Sequence, residues 1–175
     1  MLFTATEING IWLVDLERRQ DDRGFFARAW CAREFNELGL VASLSQLNLA
    51  YTRHRGTIRG LHFQRPPHAE TKLVRCLRGA AWVVAVDTRR DSPTHQQYLG
   101  VELTQENRRL LYVPAGLAQG YQTLVDDTEL LYHMSTHYVP EAAAGYRFDD
   151  PAFAIHWPQP RTLLSPRDRS WPDYQ

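Results

Sequence analysis

From Thr57 to Tyr138 the chain reads as one short β-like run after another, with no helix-length pattern between them, and this limits the fold more than any other feature. TIRGLHF, KLVRCLRG, AWVVAVDTRR, QYLGVELT, RRLLYVPAG, YQTLV and TELLYHMSTHY follow in close succession. Turn residues separate them: Gly79, the stretch Asp91 to Pro93, the stretch Pro114 to Gly116, and Asp126-Asp127. Parallel strands need long crossovers, and none is present, so the spacing predicts an all-β jelly roll or small barrel. One segment, CAREFNELGL, reads as a short helix with Phe35 and Leu38 on one face and Gly39 as its stop. From Pro140 onward the chain carries six of the ten prolines and is expected to be irregular or packed on the outside. No repeat, linker or low-complexity tract interrupts it, so residues 1–175 are expected to form a single domain.

Charge narrows the choice of partner. The chain has 20 basic and 20 acidic side chains, which leaves no basic field for nucleic acid or an anionic membrane. An anionic ligand must therefore be held by a local cluster. Cys31 and Cys76 do not make a disulfide framework, and the N-terminus lacks a basic leader and an apolar run of spanning length. The expected setting is the cytoplasm.

Among the basic residues one is unusual. Lys72 is the only lysine in a chain that otherwise uses arginine. Arginine binds flat anions through a fork, whereas lysine offers a compact, rotatable donor at one point. Side chains alternate along a strand, so spacing decides which residues share a face. His62 and Gln64 face one way; Lys72, Val74 and Cys76 share a face; Tyr132 shares one with Met134, Thr136 and Tyr138. If these runs face inward, His62 and Lys72 occupy cavity-facing positions on two neighbouring strands. Arg59 falls opposite His62 by strict alternation, but Gly60 between them permits a bulge that would turn it inward.

A lone strand histidine is ordinarily a satisfied core or surface residue, and two tyrosines on one face are ordinarily wall. A metal site would need several imidazoles and a carboxylate. Here the opening pair is His62-x-Gln64, and the later PAGLAQG segment supplies Gln119, a poor ligand for a transition metal. No metal or cofactor is expected. A metal-free cavity with these groups suits proton removal from a carbon beside a carbonyl. His62 would be the base, Lys72 the cation at the enolate oxygen, and Tyr132 the acid on the opposite side. A carboxylate should orient the histidine, and spacing alone singles out none of the acidic residues.

RGLHFQ, PPHAETKLVR, VDTRRDSPT, GVELTQENRRLLYVPAG, ELLY and DDPAFAIHWP, taken in order from about Ile11 to Asp168, resemble the dTDP-4-dehydrorhamnose 3,5-epimerases (the RmlC family). The resemblance implies a cupin-type jelly roll, usually a homodimer, acting without metal or cofactor. It also implies a reaction that inverts C3 and C5 of a nucleotide-linked 4-keto-6-deoxyhexose through enolates, in deoxysugar biosynthesis. Carried over, His62 matches the base, Asp168 its paired aspartate, Lys72 the lysine near the C4 oxygen and Tyr132 the acid. Tyr138 matches a second pocket tyrosine and Arg59 a diphosphate-binding arginine. Arg23, Phe26, Gln46 and Asn48 match positions that contact nucleotide or sugar.

Two departures stand out. Gln119 replaces a histidine that helps to hold the substrate, and Arg28 replaces a glutamate that contacts the nucleobase. They point toward a neighbouring branch of the family, with another nucleotide sugar or a single inverted carbon. Two other classes compete with the epimerase. One is a non-catalytic nucleotide-sugar-binding jelly roll, favoured by Gln119. The other is a metal-dependent cupin oxygenase or isomerase.

Overall fold

The computed structural model describes residues 1–175. Two antiparallel sheets face one another. The first has six strands in the order β1 (Leu2–Ala5), β2 (Trp12–Asp15), β10 (Leu110–Val113), β7 (Lys72–Arg78), β12 (Thr128–Met134), β5 (Gln46–Thr52). The second has five, in the order β13 (Ala143–Gly145), β6 (Ile58–Gln64), β11 (Leu117–Thr123), β8 (Ala80–Asp87), β9 (Tyr98–Thr104). Successive strands repeatedly cross from one sheet to the other, which is jelly-roll connectivity. A separate hairpin, β3 (Arg19–Asp21) with β4 (Gly24–Phe26), pairs with neither sheet.

Alternation explains the layering. On β10, Leu111 and Val113 point between the sheets while Leu110 and Tyr112 point outward. The inner residues join Val74, Cys76, Val83, Ala85, Leu103 and Leu130 in the central core. The outer ones meet Phe35 of helix α1 (Ala32–Glu37), which is 1% exposed and anchors that helix on the first sheet. Leu38 does not share this face. It is the C-cap residue and 43% exposed, its backbone (φ −95°, ψ 5°) having already left the helical conformation. On the far side, Leu61, Val84, Val86 and Ala118 are covered by Phe153 and its aromatic neighbours from the tail.

The tail is more ordered than its prolines suggest. It contributes β13, exchanges Gln159 N–H to Gln122 Oε1 (3.0 Å) and Gln122 Nε2–H to the Gln159 carbonyl (2.9 Å), and accepts the Ile58 N–H at the Leu163 carbonyl (3.0 Å). It ends in a second short helix, α2 (Pro166–Arg169), where a single helix was expected. Ser165 caps it by accepting the Asp168 N–H at 3.0 Å, and Pro166 fits the first turn, where no N–H is needed. The proline-rich segment therefore turns inward at its end instead of remaining outside.

Candidate active site

A cavity of about 860 Å³ opens between the two sheets, within the range of small-molecule sites. The first sheet supplies Gln46 and Asn48 from β5, Lys72 from β7, and Tyr132 and Met134 from β12; the second supplies Arg59, His62 and Gln64 from β6 and Gln119 and Tyr121 from β11. β6 and β7 were expected to be neighbours. They lie in different sheets, so His62 and Lys72 face each other across the cavity.

The expected bulge is present. Gln119 pairs with His62 and Tyr121 with Arg59, so two β6 residues stand opposite Gly120 alone. Gly60 has φ +122°, and a Cβ there would come within 2.5 Å of the Gly120 Cα. Only glycine fits, and the bulge brings Arg59 round to the face that carries His62.

His62 Nε2 lies 2.5 Å from Asp168 Oδ1, across 106 residues of sequence. The hydrogen bond assigns the Nε2–H tautomer and leaves Nδ1 as the ring acceptor. Asp168 is buried, and it also accepts from Gly60 N–H (3.4 Å) and Trp171 Nε1–H (3.3 Å). Burial alone would raise its pKa. The hydrogen bond and charge of His62, with the lesser donors, outweigh that and hold the carboxyl below its ordinary value.

Lys72 is 8% exposed. Its Nζ donates to the His62 carbonyl at 2.9 Å and pairs with Glu70 Oε1 at 3.0 Å. Two of its three N–H bonds are thus spoken for, and the third remains for a ligand oxygen. Glu70, whose Oε2 accepts the Gln64 N–H at 2.9 Å, is buried in the same wall and was missed from the sequence. The signal was available, since Glu70 and Lys72 are two residues apart.

Tyr132 packs near Tyr121 (ring centroids 6.5 Å apart), and burial, with Tyr121 adding to it, pushes the Tyr132 phenol well above its usual pKa. It therefore stays protonated at neutral pH. Tyr121 bonds Thr52 Oγ1 (2.9 Å), which in turn accepts from Arg59 Nε (3.1 Å), while Arg59 Nη2 donates to the Tyr51 carbonyl (2.9 Å). Arg167, from the tail, lines the same cavity and had no signal in the sequence reading. Tyr138 also lines it, with its N–H donated to Gln46 Oε1.

Nine of the eleven expected residues thus share one cavity. Arg23 and Phe26 do not. They sit on the free β3–β4 hairpin, with Arg23 folded back onto Asp21 (Nη2 to Oδ2 2.6 Å) and Phe26 72% exposed. The hairpin pairs with neither sheet, and within a single chain it stands outside the cavity wall. Arg28 pairs with Glu34 at 2.7 Å and is likewise outside the cavity wall. Nowhere do three or more His, Cys, Asp or Glu side chains gather as a metal-binding group. No helix is long and apolar enough to cross a membrane.

The family model described as dTDP-4-dehydrorhamnose 3,5-epimerase matches residues 5–175. The chain belongs to this epimerase family. It is 41% identical to the dTDP-4-dehydrorhamnose 3,5-epimerase of Sinorhizobium fredii, over 98% of this chain and 89% of that one. It is 38% identical to the dTDP-4-dehydrorhamnose 3-epimerase of Streptomyces niveus, over 93% of this chain and 78% of that one. Among solved structures, the Bacillus anthracis dTDP-4-dehydrorhamnose 3,5-epimerase with TDP and PPi bound superposes with a TM-score of 0.95. It shares 38% identity and covers 99% of both chains. The cupin-type jelly roll and the isomerase class follow from this membership, and they outweigh both the binding-module and the metal-oxygenase readings.

Proposed function

We propose that the protein epimerises a dTDP-linked 4-keto-6-deoxyhexose at C3 and C5, in the manner of dTDP-rhamnose biosynthesis. The observation that carries this reading is the His62–Asp168 pair facing the Lys72 ammonium across one cavity that Tyr132 also lines. His62 Nδ1 takes the proton from the carbon beside the C4 carbonyl. The C–H electron pair moves into the C3–C4 or C4–C5 bond, and the carbonyl oxygen becomes an enolate. The free N–H of Lys72 donates to that oxygen, at one point, as a compact ammonium can. Asp168 steadies the imidazolium that forms. Tyr132 then delivers its phenolic proton to the opposite side of the carbon, the enolate collapses to the ketone, and configuration is inverted. Solvent resets His62 and Tyr132, so no electrons or atoms are lost.

Arg59 supplies the diphosphate contact, Arg167 lines the same cavity as a second cation, and Gln46, Asn48 and Tyr138 line the sugar and nucleotide path. A homodimer acting in the cytoplasm completes the proposal. Its support is the outer side of edge strand β5, where Leu47, Leu49 and Tyr51 are 57%, 58% and 45% exposed, a row suited to burial against a second copy. The exposed hairpin carrying Arg23 and Phe26 is a further surface for that contact. The test of activity is solvent exchange. With dTDP-4-keto-6-deoxyglucose in D2O, deuterium should enter C3 and C5; entry at C3 alone would assign a 3-epimerase, and entry at neither would reject the activity.

A further inference from the structure

One polar side chain in the cavity wall is left without work by the fold. Gln119 is 4% exposed, stands directly opposite His62 in the β11–β6 register, and lines the cavity. Neither its Oε1 nor its Nε2 has a hydrogen-bond partner within the chain. The neighbouring buried polar groups are all engaged. Gln64 donates to the His68 and His137 carbonyls and accepts the Val139 N–H, Glu70 holds Lys72, and Asp168 holds His62. Gln119 cannot be relieved by moving its strand. Gly120, next to it, already lies so close beneath the β6 bulge that a Cβ would come within 2.9 Å of the Arg59 carbonyl. A buried amide with both ends unmatched is costly, so its partner is to be sought in the ligand.

The chemistry of the amide restricts that partner. Oε1 needs a donor and Nε2 an acceptor. A phosphate or carbonyl oxygen only accepts, and would leave Oε1 unmatched; a methyl group would leave both. A hydroxyl, or a vicinal pair of hydroxyls, satisfies both ends. Position narrows the choice further. Gln119 is the cross-strand neighbour of the base, so it meets whatever flanks the reacting carbon. Of the two carbons beside C4, C5 is flanked by the ring oxygen and the C6 methyl, whereas C3 bears a hydroxyl and adjoins the C2 hydroxyl.

We infer that Gln119 is a specificity-determining residue that reads a hydroxyl on the C2–C3 edge of the sugar, donating from Nε2 and accepting at Oε1. The inference rests on the proposed epimerase reading and adds the feature by which the site selects its sugar. Because the amide is neutral, this selection introduces no titrating group beside His62.

The experiment compares the parent dTDP-4-keto-6-deoxyhexose with its 2-deoxy and 3-deoxy analogues in the wild type, Gln119→Met and Gln119→His, reading kcat/KM for deuterium entry at C5, a carbon that all three share. In the wild type one of the two analogues should lose roughly 10- to 100-fold. In Gln119→Met, which keeps the volume and removes the amide, that loss should shrink to within about threefold. Gln119→His, which retains one donor and one acceptor, should restore the discrimination. Equal loss in wild type and Gln119→Met, or wild-type tolerance of both analogues within about threefold, overturns the inference. So does a Gln119→Met variant that weakens dTDP alone as much as the sugar nucleotide, since that assigns the amide to phosphate. If Gln119→Met does not fold, the wild-type comparison decides. If the wild type shows no exchange at C5 with the parent, calorimetric Kd values for the parent and the two analogues in the wild type and Gln119→Met decide the hydroxyl reading by the same 10- to 100-fold criterion. Absence of exchange at both carbons makes the epimerase reading fail separately.

Discussion

Two buried aspartates in this molecule do different things, and their partners explain why. Asp87, fully buried, accepts from Arg89 Nε and Nη2 (both 2.8 Å), Ser92 Oγ (2.5 Å), Thr94 Oγ1 (2.7 Å) and the Arg89 N–H (3.1 Å). None of those donors titrates near neutral pH, and none lines the cavity. Asp168, 3% exposed, spends its main hydrogen bond on an imidazole whose side chain is 43% exposed to the cavity. The first carboxylate clamps the turn between β8 and β9. The second holds the imidazole proposed here as the base. A buried carboxylate becomes a site when its chief partner can change charge and can be reached by a ligand.

This contrast can be broken at either end. Replacing His62 with Asn should have the largest effect, a loss of solvent exchange of about 10⁴-fold, because Asn cannot accept the proton. Wild-type exchange in that variant would remove His62 from its role. Asp168→Asn should cost about 10²- to 10³-fold in kcat with the fold intact, since the imidazole loses the group that sets its tautomer. Asp87→Ala should do the reverse. We expect about 3 kcal/mol of lost stability by urea titration, with exchange per folded molecule within about threefold of wild type. A catalytic loss in Asp87→Ala as large as that in Asp168→Asn would erase the distinction.

Acid stability gives the smallest effect. Burial alone would raise the Asp87 pKa, but Arg89, Ser92 and Thr94 together lower it strongly, and His62 lowers that of Asp168 against the same opposition. A carboxyl with a depressed folded-state pKa stabilises the fold above its unfolded value, about 4, and loses that contribution as pH falls toward the folded value. The melting temperature should therefore fall between about pH 4 and pH 2, and Asp87→Asn should flatten that fall more than Asp168→Asn does. The reverse order in a calorimetric pH series would contradict the assignment of Asp87 as the stronger clamp.

The sequence made the central strands legible because their signals are local. Runs from β6 to β12 announced themselves by β-branched and aromatic residues between turns, and parity alone put His62, Lys72 and Tyr132 on usable faces. The run YQTLV marks only the later part of β11, which already begins at Leu117 just after the PAG turn, so Gln119 is a strand residue. β3 and β4, at three residues each, are too short to show a period. β5 alternates in the opposite sense from a usual strand, with Gln46 and Asn48 toward the cavity and Leu47 and Leu49 outward, because its inner side lines the open cavity and not the packed core. The partner of His62 was beyond local reading. Ser165-Pro166 signals a helix start, but no sequence rule carries α2 back across the chain to β6. That pairing entered only through the family resemblance.

In the proposed mechanism a proton leaves the sugar on the His62 side and returns from the Tyr132 side. Tyr132→Phe separates these steps when the substrate is followed in D2O by NMR, scoring deuterium entry and configuration at C3 and C5 together. Deuterium should enter with configuration retained, because His62 still removes the proton and returns solvent deuterium from the same face. Inversion at the wild-type rate in Tyr132→Phe would contradict it.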